Sequence, residues 1–135
     1  MPPLLVAVVD DEEPICKALG RLLRASGLLA ECFTSGQSFL DSLETTRPDC
    51  LILDLHMPGL GGLQVLEQLR SRRPRLPTII ITGHEPENEI RCLASGAAAY
   101  MSKPLNDELL LQTIHQAVTK NAPEQFQNLT DHCPK

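Results

Sequence analysis

Apolar runs that stop on chemically useful residues recur along this chain. Val6-Ala7-Val8-Val9 stops on Asp10-Asp11, Leu51-Ile52-Leu53 on Asp54, and Ile79-Ile80-Ile81 on Thr82. A fourth run, around Tyr100-Met101, is followed by Lys103-Pro104. Short continuous runs of this kind read as strands covered on both faces. The pattern predicts strands over residues 4–9, 28–33, 50–54, 78–82 and 97–101.

Between these runs the apolar spacing changes to three or four, as on a helix that buries one stripe. Asp11-Glu12-Glu13-Pro14 opens the first such segment, with acids in the first turn and proline near the first helical position. Its stripe is Ile15, Leu19, Leu22 and Leu23, and Gly27 stops it. Thr34-Ser35-Gly36 caps a short helix carrying Phe39, Leu40 and Leu43. Arg47-Pro48-Asp49 breaks the chain before the next strand. Gly59-Leu60-Gly61-Gly62 reads as a flexible link into a helix with Leu63, Leu66 and Leu69, ended by Arg72-Arg73-Pro74-Arg75. Glu85-Pro86-Glu87 starts a helix with Ile90, Leu93 and Ala94, closed by Ser95-Gly96. Leu105-Asn106-Asp107 leads into the last helix, with Leu109, Leu110, Ile114, Ala117 and Val118. From residue 121 the periodicity ends, so 121–135 reads as a polar tail or the start of a linker.

Strands alternating with helices imply an α/β fold: a parallel sheet with helices on both faces. In such open sheets a site forms outside the carboxyl ends of the strands. Asp10, Asp11, Asp54, Thr82 and Lys103 all fall at or just past predicted strand ends.

Composition narrows the function. A chain of 135 residues has room for one core. A net charge of -5 and a single Tyr without Trp argue against direct nucleic-acid binding by this segment. No apolar stretch approaches the ~20 residues of a membrane span. The start of the chain lacks the basic region of a signal peptide. The five cysteines are scattered and never spaced as CxxC, which favours reduced thiols in a cytoplasmic protein. Cys32 and Cys50 are expected to pack as small apolar residues.

Three close carboxylates repel one another, and a bound cation removes the conflict. Magnesium prefers oxygen ligands and usually takes one or two protein carboxylates while keeping waters. Asp54 is then the nucleophile candidate, since a carboxylate oxygen can attack phosphorus to give an acyl phosphate. Lys103 would neutralise charge on the transferring group. Thr82 would exchange one hydrogen bond with a phosphoryl oxygen. A cis Lys103-Pro104 bond fits a turn there, although the sequence leaves the isomer open. His56 and His84 each sit two residues beyond a key position. Oxygen ligands dominate the cluster, so they are read as rim residues that alter water access rather than as a zinc pair. Tyr100 is either strand packing or a side chain that moves when Thr82 is drawn to a phosphoryl group.

Val8-Val9-Asp10-Asp11-Glu12, Leu51-Ile52-Leu53-Asp54-Leu55-His56-Met57-Pro58-Gly59, Ile80-Ile81-Thr82-Gly83-His84 and Ser102-Lys103-Pro104 together resemble the receiver domain of two-component response regulators. The resemblance covers residues 4–120, and the Thr-Gly-His and Met-Pro-Gly segments look like receivers attached to LuxR-type helix-turn-helix domains. It implies a flavodoxin-like (βα)5 three-layer sandwich with a five-stranded parallel sheet in the order 2-1-3-4-5. It implies that Asp54 accepts phosphate from a sensor histidine kinase. Magnesium (or manganese) would be held by the side chains of Asp11 and Asp54 and the backbone carbonyl of His56, with Asp10 acting through a water. Thr82 and Tyr100 would form a switch pair, and Lys103 would contact the phosphoryl group. The output face would be the fourth helix, fifth strand and fifth helix, which also offers a homodimer surface. Such a domain is a cytoplasmic switch that catalyses only its own phosphorylation and dephosphorylation, and controls transcription through an attached or partner domain. A stand-alone receiver in a phosphorelay is the alternative. His56 and Glu85-Pro86 depart from the usual pattern.

Two other classes compete. A magnesium-dependent phosphatase with an aspartyl-phosphate intermediate would want a second acid two residues after Asp54, where His56 stands. A flavin-binding protein would want a phosphate-binding loop after the first strand, where Asp10-Asp11-Glu12 would repel phosphate.

Overall fold

The computed structural model describes residues 3–83 and 86–120. Within them, five strands alternate with five α-helices. The order is β1 (Leu5–Val9), α1 (Glu13–Ala25), β2 (Leu29–Phe33), α2 (Gly36–Ser42), β3 (Cys50–Asp54), α3 (Gly62–Arg72), β4 (Thr78–Thr82), α4 (Glu89–Ala94), β5 (Ala99–Ser102) and α5 (Asp107–Lys120). All strand pairs are parallel and the sheet runs β2-β1-β3-β4-β5, the flavodoxin-like order. His84 and the expected tail 121–135 lie outside the described residues.

Local sequence explains the element ends. Pro14 sits in the first turn of α1, where its missing N–H costs no helical bond. Gly27 adopts φ 86° just past the α1 end, and Leu28 N donates back to Leu23 O at 3.0 Å. That left-handed cap favours glycine. Ser35 caps α2 by accepting from Ser38 N at 3.1 Å, and Asn106 does the same for α5 by accepting from Leu109 N at 2.9 Å.

The period of two divides the strands between two apolar layers. Val6, Val8, Ile52, Ile79 and Ile81 pack under Leu19 and Leu23 of α1 and Leu110 and Ile114 of α5. Ala7, Val9, Leu51, Leu53 and Ile80 pack under Phe39 and Leu40 of α2, Leu66 and Leu69 of α3, and Cys92 of α4. The central strands β3 and β4 are buried along their whole length. Each fully buried Ile or Leu there stabilises the fold by roughly 2 kcal/mol.

Several expectations need correction. Ile90, Leu93 and Leu109 were expected on buried stripes but stand 82%, 42% and 52% exposed. In α5 the buried line is Leu110, Ile114 and Ala117, and Leu109 lies about 100° away from it. The short α4 buries Cys92, two positions from Ile90. The turn at Pro86–Asn88 is a 3-10 helix, so α4 begins later than Glu85-Pro86-Glu87 suggests. β5 covers 99–102 rather than 97–101 because Ala97 and Ala98 close the preceding turn, Ala97 N donating to Cys92 O. Cys32 is exposed rather than packed like Cys50, because β2 is an edge strand. Burial pushes Cys50 up to about 12 and Cys16 up to about 11, with neighbouring Cys32 adding to the second.

Candidate functional site at the carboxyl edge of the sheet

Strand register decides which strand-end side chains meet. Val8 pairs with Ile52, Asp54 with Ile81, and Ile81 with Met101. Asp10 lies two residues past Val8, Asp54 two past Ile52 and Lys103 two past Met101, so the alternation of the pleat carries each on from the layer that holds those three side chains. The ladder extends beyond the strands to hold them there. Asp10 N donates to Phe33 O at 3.0 Å and Lys103 N donates to Thr82 O at 2.7 Å. The Lys103–Pro104 peptide bond is cis.

The side chains converge accordingly. Lys103 Nζ stands 3.0 Å from Asp10 Oδ2, 3.5 Å from Asp54 Oδ1 and 3.5 Å from Glu12 Oε1. Asp10, Asp11 and Asp54 each offer one carboxylate oxygen, all within 4.8 Å of one another. Asp10 and Asp54 are buried and Asp11 is exposed, so the cluster opens to solvent on one side. Asp10 Oδ1 also accepts from Glu12 N at 2.9 Å, which fixes the turn after β1.

The cluster is not neutralised by its own cation. Burial, then the charge of Asp10, pushes Asp54 up from 3.8 to about 6 against the pull of Lys103. Burial alone would lower the Lys103 pKa. Its bond to Asp10 and the charges of Asp54, Asp10 and Glu12 outweigh that and leave it raised. One ammonium is thus shared among Asp10, Asp54 and Glu12, and the oxygens of Asp10, Asp11 and Asp54 suit a hard divalent cation.

The remaining expected residues surround this centre. Thr82 is fully buried, and its Oγ1 has no hydrogen-bond partner among the described residues. It ends β4 one residue after Ile81, the strand partner of Asp54, and so stands at the same edge of the sheet. Tyr100 pairs with Ile80, two residues before Thr82, and packs half-buried against the core. His56 is exposed and lines an open hollow with Met57, Pro58 and Gln64.

Two contributors escaped the sequence reading. Gly62 is not part of a flexible link: a Cβ there would overlap the Asp54 carbonyl oxygen and stand 2.8 Å from Leu55 Cα. Only glycine lets α3 start so close behind Asp54. The Gly61-Gly62 pair was the visible signal, but the close approach is a long-range fact. Cys16 is the second, since its thiol donates to the Asp10 carbonyl at 3.2 Å from beneath α1.

Comparison with known proteins agrees with this geometry. Residues 6–115 match the model of the response regulator receiver domain. The chain belongs to the response regulator receiver family. This receiver is 36% identical to the response regulator protein TodT of Pseudomonas putida over 125 residues, covering 92% of this chain and 55% of TodT. It is 35% identical to the DNA-binding transcriptional regulator NtrC of Klebsiella pneumoniae over 119 residues, covering 87% of this chain and 25% of NtrC. The chain therefore spans about half or less of these relatives. A crystal structure of a response regulator receiver protein from Burkholderia phymatum aligns with a TM-score of 0.75 and 42% identity, covering 85% of this chain and 94% of that one.

Proposed function

We propose that this receiver is a phosphorylation-controlled switch with Asp54 as the acceptor. One observation carries the reading: Lys103 Nζ lies between Asp10 and Asp54, at 3.0 and 3.5 Å, in a cluster of three carboxylates. An Asp54 oxygen attacks the phosphorus of a phosphohistidine on a sensor kinase. A P–O bond forms, the P–N bond breaks, and the histidine nitrogen leaves. Lys103 neutralises charge on the transferring group. Asp11, Asp54 and the His56 carbonyl would hold a magnesium or manganese ion, with Asp10 acting through a water. That ion would supply charge neutralisation at the phosphoryl oxygens.

The unpartnered Thr82 Oγ1 supports its role as a donor that a phosphoryl oxygen recruits. Tyr100, on the same face, would follow Thr82 inward and alter the surface of α4, β5 and α5. That surface, or a dimer built on it, would pass the signal to an attached or partner output domain that controls transcription. His56 and His84 would rim the site and set water access. The reading assigns the switch to the cytoplasm. His56 in place of a second acid favours a switch over a phosphatase.

Incubation with acetyl phosphate and magnesium tests the assignment. Intact mass should rise by one phosphoryl group, and Asp54→Asn should abolish the rise. A variant that gains the group at the wild-type rate sinks the reading.

A further inference from the structure

We propose that Cys16 and Cys32 form a reversible disulfide that loosens the turn after β1 and slows phosphorylation of Asp54; its effect on rate rests on the function proposed above. The two thiols sit on one face of the sheet. Cys32 pairs with Val8, whose side chain belongs to the layer covered by α1, and Cys16 lies in that same layer. The Cys32 sulfur rests against the backbone of Cys16, and the Cys16 sulfur against the residue that follows Cys32. Cys32 Sγ stands 3.2 Å from Cys16 O, and Cys16 Sγ stands 3.4 Å from the carbonyl of Phe33, the residue after Cys32. Gly20 keeps the slot open, since a Cβ there would sit 3.3 Å from Cys32 Sγ and 3.2 Å from Arg24 Nη1.

The pair is also asymmetric. Cys32 is exposed and Cys16 buried. An exposed thiol is the one that a soluble disulfide can reach. Cys32 therefore meets the oxidant, a low-molecular-weight disulfide. Its thiolate attacks one sulfur of that disulfide and releases one thiol. Cys16, which burial holds mostly as the thiol, closes the bond slowly: its thiolate attacks the Cys32 sulfur of the mixed disulfide, and the second thiol leaves with the proton that Cys16 gave up. The protein loses two hydrogens and the oxidant becomes two thiols.

The link to the site is a hydrogen bond. The Cys16 S–H donates to the carbonyl of Asp10 at 3.2 Å, and Asp10 N bonds the same Phe33 carbonyl that Cys16 touches. A disulfide removes that S–H and draws its sulfur toward β2. The backbone of Asp10 loses a donor directly before Asp11 and Glu12.

The full chain treated with glutathione disulfide tests this. A peptide joining Cys16 to Cys32 should appear, and dithiothreitol should remove it. Phosphorylation by acetyl phosphate should slow about five-fold, the size of one weak hydrogen bond, and recover on reduction. Cys32→Ser should abolish both effects, whereas Cys16→Ala should form no linked peptide and be slow with or without oxidant, because it lacks the S–H that bonds the Asp10 carbonyl. Absence of the linked peptide, or equal slowing in Cys32→Ser, overturns the proposal. If the reduced protein takes no phosphoryl group, the reading of Asp54 fails instead. Amide exchange at Asp11 and Glu12 then decides the disulfide's effect: faster exchange after oxidation supports it, and unchanged exchange overturns it.

Discussion

The two ends of the sheet settle their polar residues in opposite ways. At the amino ends, backbone satisfies them: Asp49 Oδ2 accepts from Leu5 N at 2.8 Å, and Thr78 Oγ1 donates to Leu76 O at 3.3 Å. At the carboxyl ends, Asp10, Asp54 and Thr82 are buried, Thr82 Oγ1 has no partner among the described residues, and one lysine is shared by Asp10, Glu12 and Asp54. β4 carries both cases in five residues, since Thr78 and Thr82 are both buried and only Thr78 is paired. The amino ends are complete once folded. The carboxyl ends keep an electrostatic debt that a cation and a phosphoryl group would relieve.

Five changes probe that contrast. The largest effect is expected from Asp54. Its ordinary pKa of 3.8 rises to about 6 on folding, so between these values the folded domain holds a proton that the unfolded chain has released. Stability is full below pH 4 and falls as pH rises through 6. Asp54→Asn should be about 3 kcal/mol more stable than wild type at pH 7.5 without metal, converging below pH 4. Denaturant melts across that range read the gap, and a constant gap would show that ionisation is not its source.

Lys103→Met should cost about 2 kcal/mol at pH 7, less than a fully buried pair because Lys103 is partly exposed. The cost should shrink near pH 4, where Asp54 is protonated. Thermal melts at the two pH values check it; an undiminished loss at pH 4 would point to packing instead of charge.

The threonines sharpen the comparison further. Thr78→Val should cost about 1 kcal/mol, and Thr82→Val close to nothing in the unphosphorylated protein, because only Thr78 loses a partner. Equal losses would mean that the two ends of β4 do not differ. Among the residues with a partner the smallest loss belongs to Asp49→Ala, about 0.5 kcal/mol, since its bond to Leu5 N is solvent-exposed. Chemical denaturation of the three variants side by side ranks them.

Much of this was legible along the chain. The strands β3 and β4 were read to the residue, because continuous apolar runs bounded by Asp49 and by Pro77 leave little choice. The candidate residues stood out because Asp10, Asp54, Thr82 and Lys103 each follow such a run. The buried stripes of α4 and α5 were less so. Leucines occupy both Leu109 and Leu110, and composition cannot tell which one faces the sheet. The start of β5 was misplaced because Ala97 and Ala98 suit a turn as well as a strand.

By itself, the sequence determined the alternation of strands and helices and the polar residue at each strand end. Those features follow from spacing of two or three to four, which is local. The tertiary structure decided which of those residues share a face. Asp10 and Asp54 meet Lys103 at 3.0 and 3.5 Å, and Thr82 ends the strand beside Asp54. It also decided that Gly62 must lack a side chain and that Cys16 and Cys32 lie together. Register and the approach of a helix to a strand are set by packing among residues far apart in the chain, and no local pattern carries that information.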